Sequence, residues 1–135
     1  MAGKWLSKLL GDQGERAAIK FLKQAGYSIL AKQYRTGQGE IDVIALDGQT
    51  VVFVEVKTRR SDSKGKPFEA ITPQKQSQLT RLASSFLKKH KLLQQPARFD
   101  VISILWPRAR ANSAKPEIQH FQNAFAPSGK FQFFT

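Results

Sequence analysis

The sequence predicts an α/β domain in which a mixed β-sheet is flanked by two helices, the elements running αβββαβ(β). Three observations carry this. Asp47-Gly48 separates two apolar, β-branched runs, Ile41 to Leu46 and Gln49 to Lys57, and such a pair is a strong short-range hairpin signal. Apolar residues recur at helical spacing in two stretches, Ala18-Phe21-Leu22-Ala25 and Leu79-Leu82-Ala83-Phe86-Leu87. With 135 residues and a hydrophobic fraction of 41%, the chain can build one real core, and one domain is the natural reading.

The first helix is expected over 12–25, with Asp12 as N-cap, Glu15 three residues on in capping-box position, and Gly26 just past the end. A strand follows over 27–35, then a turn at Thr36-Gly37-Gln38-Gly39, then the hairpin. Residues 59–70 read as a basic loop with Arg59, Arg60, Lys64 and Lys66. Thr72 as N-cap and Pro73 at the first helical position open the second helix, whose stripe fades after His90. Gln94-Gln95-Pro96 connects to a strand from Arg98 to Trp106, stopped by Pro107. A basic loop over 108–115 precedes a last strand from Ile118 to Phe125. The organisation is thus a single domain over 1–135, with an N-terminal amphipathic arm (1–10), a core (11–125) and an aromatic tail (126–135) that holds Phe131, Phe133 and Phe134.

Composition narrows the function. Twenty-two Lys and Arg against ten Asp and Glu leave a net charge of +12, beyond the magnitude of about 2–8 that solubility asks for. Such a surplus draws polyanions, nucleic acid first and an anionic membrane surface second. No apolar run approaches the roughly 20 residues of a membrane span, and the first ten residues lack a continuous apolar stretch or cleavage site. A cytoplasmic protein without a membrane partner is expected. The absence of cysteine excludes disulfides, thiolate zinc sites and Cys nucleophiles, and His90 and His120 lack metal-ligand spacing.

Acids are scarce, yet Glu40, Asp42 and Glu55 fall within one hairpin. With Asp47-Gly48 as a two-residue loop, Leu46 pairs Gln49, Asp42 pairs Phe53 and Glu40 pairs Glu55. Side chains alternate, so Glu40, Asp42, Glu55 and Lys57 emerge on one face, with Asp42 and Glu55 diagonal neighbours about 7–8 Å apart or less. Carboxylates crowded beside Val51 and Phe53 repel each other and resist desolvation. A divalent cation with a taste for hard oxygen ligands, Mg²⁺ or Mn²⁺, resolves that conflict. Lys57 on the same face can position a water or stabilise charge on a phosphate.

Gly39-Glu40-Ile41-Asp42 followed by Val52-Phe53-Val54-Glu55-Val56-Lys57 resembles the PD-(D/E)xK nuclease superfamily, with Ile41 where that pattern has proline. More closely, the chain resembles the YraN family of small bacterial proteins. Gly14-Glu15 with Ala18, Lys75, Arg98-Phe99-Asp100-Val101 and Asn123-Ala124-Phe125 extend the match over roughly 11–125. The resemblance implies a restriction-endonuclease-like fold, similar to archaeal Holliday-junction resolvases, acting on DNA, branched or junction DNA included, as a homodimer. It implies Asp42 and Glu55 as metal ligands, the Val56 carbonyl as a third, Lys57 as the catalytic lysine and Glu15 as the helix acid that reaches the metal. Arg59, Arg60, Lys64, Lys66 and Lys75 are the candidate grip on the nucleic-acid backbone.

Each assignment has a plainer rival. Glu15 is also a ready capping-box residue, Glu40 a surface acid, and Lys75 and Gln76 an exposed first helical turn. Asp100, alternating with Ile102 and Ile104, reads as a structural partner for a basic residue, and His120 as packing. The leading function is a metal-dependent DNA endonuclease. The alternative is a non-catalytic nucleic-acid-binding module on the same fold.

Overall fold

A computed structural model describes residues 2–60, 71–107 and 115–129, with 2–7 described by backbone alone. The elements are α1 (Ala2–Gln24), β1 (Ser28–Thr36), β2 (Gly39–Asp47), β3 (Thr50–Arg60), α2 (Pro73–Lys89), β4 (Ala97–Trp106) and β5 (Glu117–Phe125). The five strands form one sheet in chain order, antiparallel except for β3 and β4. That parallel pair is joined by the crossover through α2, as parallel neighbours require. The αβββαββ order and the mixed sheet are those expected. No helix among the described residues is long and apolar enough to cross a membrane.

The strands alternate between two cores. Ile44, Val51, Phe53, Phe99 and Val101 pack under Leu79, Leu82, Ala83, Phe86 and Leu87 of α2. Val43, Ala45, Val52, Val54, Ile102 and Ile104 pack under Ala18 and Leu22 of α1. The two helices therefore cover opposite faces, and Phe86 meets Phe53 and Tyr34 edge to face within the α2 layer. Helix α2 begins as its sequence dictates. The Thr72 side chain accepts from the Lys75 N–H at 3.1 Å, with Pro73 at the first position.

Three expectations change. Helix α1 starts at Ala2 rather than at Asp12. Residues 2–10 belong to α1, which runs on through Gly11, and Asp12 lies mid-helix, where it caps nothing. Second, the hairpin pairs Asp47 with Thr50 and Leu46 with Val51, two residues out from the expected register. The loop is Gly48-Gln49, with a left-handed φ (62°) at Gly48 only, so glycine takes the first central turn position, the type II′ arrangement. Third, Arg59 and Arg60 belong to β3, paired with Leu105 and Trp106 of β4, rather than to a loop.

Gly14 sets how closely α1 lies on the sheet. A Cβ there would collide with Thr58 Oγ1 on β3, so only glycine admits this approach. At the other end of the sheet, Asp100 is fully buried with its oxygens occupied. It accepts from Arg98 Nε at 3.0 Å and Arg98 Nη2 at 3.3 Å, contacts His120 Nε2 at 2.7 Å, and accepts the Asn123 N–H at 2.9 Å. Asn123, at φ 53°, lies where the β4–β5 register shifts, and this turns its amide toward Asp100. Arg98 also donates to Tyr27 Oη at 2.9 Å and Asp47 Oδ2 at 3.1 Å, tying the starts of β1 and β4 to the end of β2. Asp100 is thus the structural partner of a basic residue, as its strand position suggested.

Two stability measurements follow. Gly14→Ala, which normally gains about 1 kcal/mol inside a helix, should lose about 1–3 kcal/mol here through overpacking. Most of that loss should return in the Thr58→Ala background, read from urea midpoints at constant m. Asp100→Ala leaves a half-buried guanidinium without its main partner and should cost about 3–5 kcal/mol. Asp47→Ala, which removes the more exposed partner of the same guanidinium, should cost under about 1 kcal/mol.

Candidate functional site

Strand β3 is buried from Val51 through Glu55, so the carboxyl of Glu55 enters the protein at the end of an apolar run. The β2–β3 ladder is paired from Asp47–Thr50 to Val43–Val54. Beyond that point the Val56 N–H donates to Asp42 Oδ2 at 2.8 Å, so a side chain takes the place of a ladder bond. Alternation in β2 breaks here too. Ile41 and Ile44 both pack in the α2-side core, while Asp42 lines a cleft on the α1 side. Glu55 stands between Val54 and Val56, both packed toward α1, and so faces the other way. The expected meeting of Asp42 and Glu55 on one face is therefore corrected. They meet across the place where β2 and β3 stop pairing, because Asp42 competes for the backbone donor there.

The two carboxyl groups lie within hydrogen-bond reach of each other. Burial is the largest influence on each and lifts both above the ordinary carboxylate range. For Glu55 the neighbouring Asp42 charge adds to this, while Lys75 and then Lys57 pull the other way. For Asp42 the bonds from Val56 and Glu55 and the Lys75 charge only partly offset burial. Lys57 Nζ lies 3.7 Å from Glu55 Oε2.

Glu15 lines the Asp42 cleft together with Leu10, Gly11, Val56 and Thr58. Its carboxyl is raised to about 7, first by burial and then by the Asp42 charge, against a hydrogen bond from Gln33. Because Asp12 is not a cap, the capping-box role for Glu15 is gone. Its place in the cleft comes instead from the close approach at Gly14. Lys75, at the start of α2, brings its charge to both acids from the opposite face rather than lying clear of them.

The remaining candidates disperse. Glu40 pairs with Arg35 as a surface ion pair, influencing Asp42 and Glu15 only through its charge. Gln76 donates to the Ile71 carbonyl at 3.1 Å, closing the helix start. Arg60 is exposed at the end of β3 and Arg59 is half-buried beside it. Lys64 and Lys66, and the aromatic residues Phe131, Phe133 and Phe134, lie outside the described residues. His120 packs edge-on to Phe21 and Tyr27 while it holds Asp100.

Gln33 is a site residue that the sequence reading missed. It adopts a left-handed φ of 49° inside β1 and reaches Glu15. A non-glycine residue in that conformation is uncommon and clusters at functional sites, but no sequence signal announces it.

Among the described residues, no three His, Cys, Asp or Glu side chains converge on one point. Half-buried Asp42 and buried Glu55 do fit Mg²⁺ or Mn²⁺, because Mg²⁺ keeps several waters and is typically held by one or two carboxylates. Burial raises both carboxyl groups, and the charge of a divalent cation between them would favour their ionised forms.

The sign of the resulting pH dependence is fixed. Acids whose native pKa is raised leave the native state holding extra protons above the unfolded value of 4.5. The contribution of these two acids to the stability of the metal-free protein is therefore greatest below about 4.5 and falls as pH rises through about 7 for Glu15 and about 8 for Glu55. Thermal melts across this range should show the decline, and Glu55→Gln should flatten it. Millimolar Mn²⁺ at pH 7.5 should raise the melting temperature of the wild type but not of Asp42→Asn.

Comparison with known proteins gives the chain its relatives. The profile of the "Uncharacterised protein family UPF0102" matches residues 14–104. A UPF0102 protein of Geotalea uraniireducens is 47% identical over 119 residues, covering 88% of this chain and 91% of its own. Another from Geotalea daltonii is 48% identical over 123 residues, covering 91% and 94%. A third, from Caldicellulosiruptor saccharolyticus, is 50% identical over 95 residues, covering 70% and 80%. The family match takes in the second half of α1, β1 to β3, α2 and most of β4, Glu15, Asp42, Glu55 and Lys57 among them, and the chain belongs to the UPF0102 (YraN) family.

Proposed function

We propose that this protein is a metal-dependent endonuclease that hydrolyses phosphodiester bonds of DNA, with branched or junction DNA within its substrate range. The observation that carries the reading is half-buried Asp42, fixed by the Val56 N–H, against buried Glu55, which Lys57 approaches to 3.7 Å. Burial of two acids with so little compensation destabilises the fold, and a site for a cation gives it a reason. The net charge of +12 supplies the attraction for a polyanion.

Asp42 and Glu55 would hold Mg²⁺ or Mn²⁺, with the Val56 carbonyl as a third ligand and Glu15 joining directly or through water. When bound, the ion polarises the phosphate and lowers the pKa of a coordinated water. The protein's own residues do the rest. Lys57 places a positive charge where the pentavalent phosphate gathers negative charge, and Glu55 restrains that ammonium. Lys75 adds a second charge from α2. Water bonds to phosphorus, one P–O ester bond breaks, and the departing oxygen takes up a proton.

Asp42→Ala and Glu55→Gln should abolish cleavage of labelled junction, flap and duplex DNA in Mg²⁺ or Mn²⁺ while the circular dichroism spectrum is kept. Lys57→Ala should reduce single-turnover cleavage roughly 10²–10³-fold, the usual loss on removing one charge-stabilising donor. Wild-type protein that binds these DNAs but cuts none, nor single strands, would establish the non-catalytic binding module instead.

A further inference from the structure

A groove of about 1040 Å³ runs between α1 and β1. Lys8, Arg16, Lys20 and Lys23 line it from the helix, and Lys32 and Arg35 from the strand, all exposed or half-buried. We propose that this groove is the track for the phosphate backbone of the nucleic-acid strand entering the site. The inference rests on the proposed site's taking a nucleic acid, and it names the surface that holds it.

Three features argue for that occupant. First, the groove is net positive: six basic side chains line it against Asp12, Glu15 and Glu40. Arg16 and Lys20 are four residues apart on α1 and Lys20 and Lys23 three apart, spacings at which like charges on a helix repel. Among the described residues Arg35 has Glu40, but Arg16, Lys20, Lys23 and Lys32 form no ion pair. A polyanion lying along the groove removes that repulsion and releases its own counterions.

Second, the groove opens onto the acids, because Gly11 and Glu15 line both it and the Asp42 cleft. On the α2 side of the acids a smaller cleft carries Lys75 and Arg81, so basic surface flanks the site on both sides. Third, among the described residues no aromatic side chain lines the groove. Strand-binding surfaces that hold bases do so by stacking on aromatics, whereas a lining of lysine and arginine grips phosphates without regard to sequence.

The test is DNA binding in EDTA across a salt series, using fluorescently labelled single strand and junction. One variant carries Lys20→Gln, Lys23→Gln and Lys32→Gln. A control carries Lys88→Gln, Lys89→Gln and Lys91→Gln at the far end of α2, which removes the same charge. The groove variant should bind roughly tenfold or more weakly, with a salt slope shallower by about 3, one for each phosphate that is no longer neutralised. The control should stay within about twofold of wild type. Equal weakening in both variants overturns the groove and leaves the nuclease reading standing, since only total charge would then matter. Groove-dependent binding by a wild type that never cleaves supports the groove and sinks the catalytic reading. Wild-type protein that binds no nucleic acid at low salt overturns both.

Discussion

The structure depends on one constraint: β3 is buried on both faces and on both edges. Antiparallel β2 lies along one edge and parallel β4 along the other, α1 covers one face and α2 the other. A strand so enclosed must be apolar, and Val51-Val52-Phe53-Val54 obeys. Glu55, the next residue, does not. It remains in the protein because β3 continues past it to Arg60, paired with β4 along its whole length. The site is therefore a consequence of where the central strand carries a carboxyl beyond the reach of free water.

Two kinds of buried acid in one small sheet show opposite electrostatics, and the contrast separates structure from chemistry. For Asp100 burial alone would raise the pKa. Hydrogen bonds from His120, Arg98 and the Asn123 amide, with the Arg98 charge, outweigh it and bring it below the ordinary value. That acid is fully compensated and holds strands together. Asp42 and Glu55 stay raised, chiefly by burial and, for Glu55, by the Asp42 charge, with two lysines nearby that only partly offset this. Stability alone favours the first arrangement. The second is the arrangement on which the proposed cation site rests.

Much of this was legible in sequence because its signals are local. Thr72-Pro73 and the stripe to Leu87 specify α2 without help from the rest of the chain. Asp42, Glu55 and Lys57 stand out since acids are few and the motif sits in apolar strands. The misreadings also have local causes. Asp47-Gly48 marks a turn, but whether Gly48 takes the first or second central position moves the register by two residues. Asp12-x-x-Glu15 has the form of a capping box, and only the preceding turns of α1 show that the helix does not begin there. The basic run at Arg59 is conspicuous as a cluster. Arg16, Lys20, Lys23 and Lys32 are spread over two elements and become one surface only when α1 lies along β1.

By itself, then, the sequence determined the kinds of element, their order and the residues able to do chemistry. These follow from periodicities of two and 3.6 and from side-chain type, properties carried by neighbouring residues. Tertiary structure alone decided that Asp42 takes the Val56 N–H and meets Glu55 where the strands part. It also decided that Gly14 lets α1 bring Glu15 to them and that Lys75 comes from the other face. Those relations join segments far apart in the chain, and their energies arise from desolvation, which exists only once the sheet is covered on both sides.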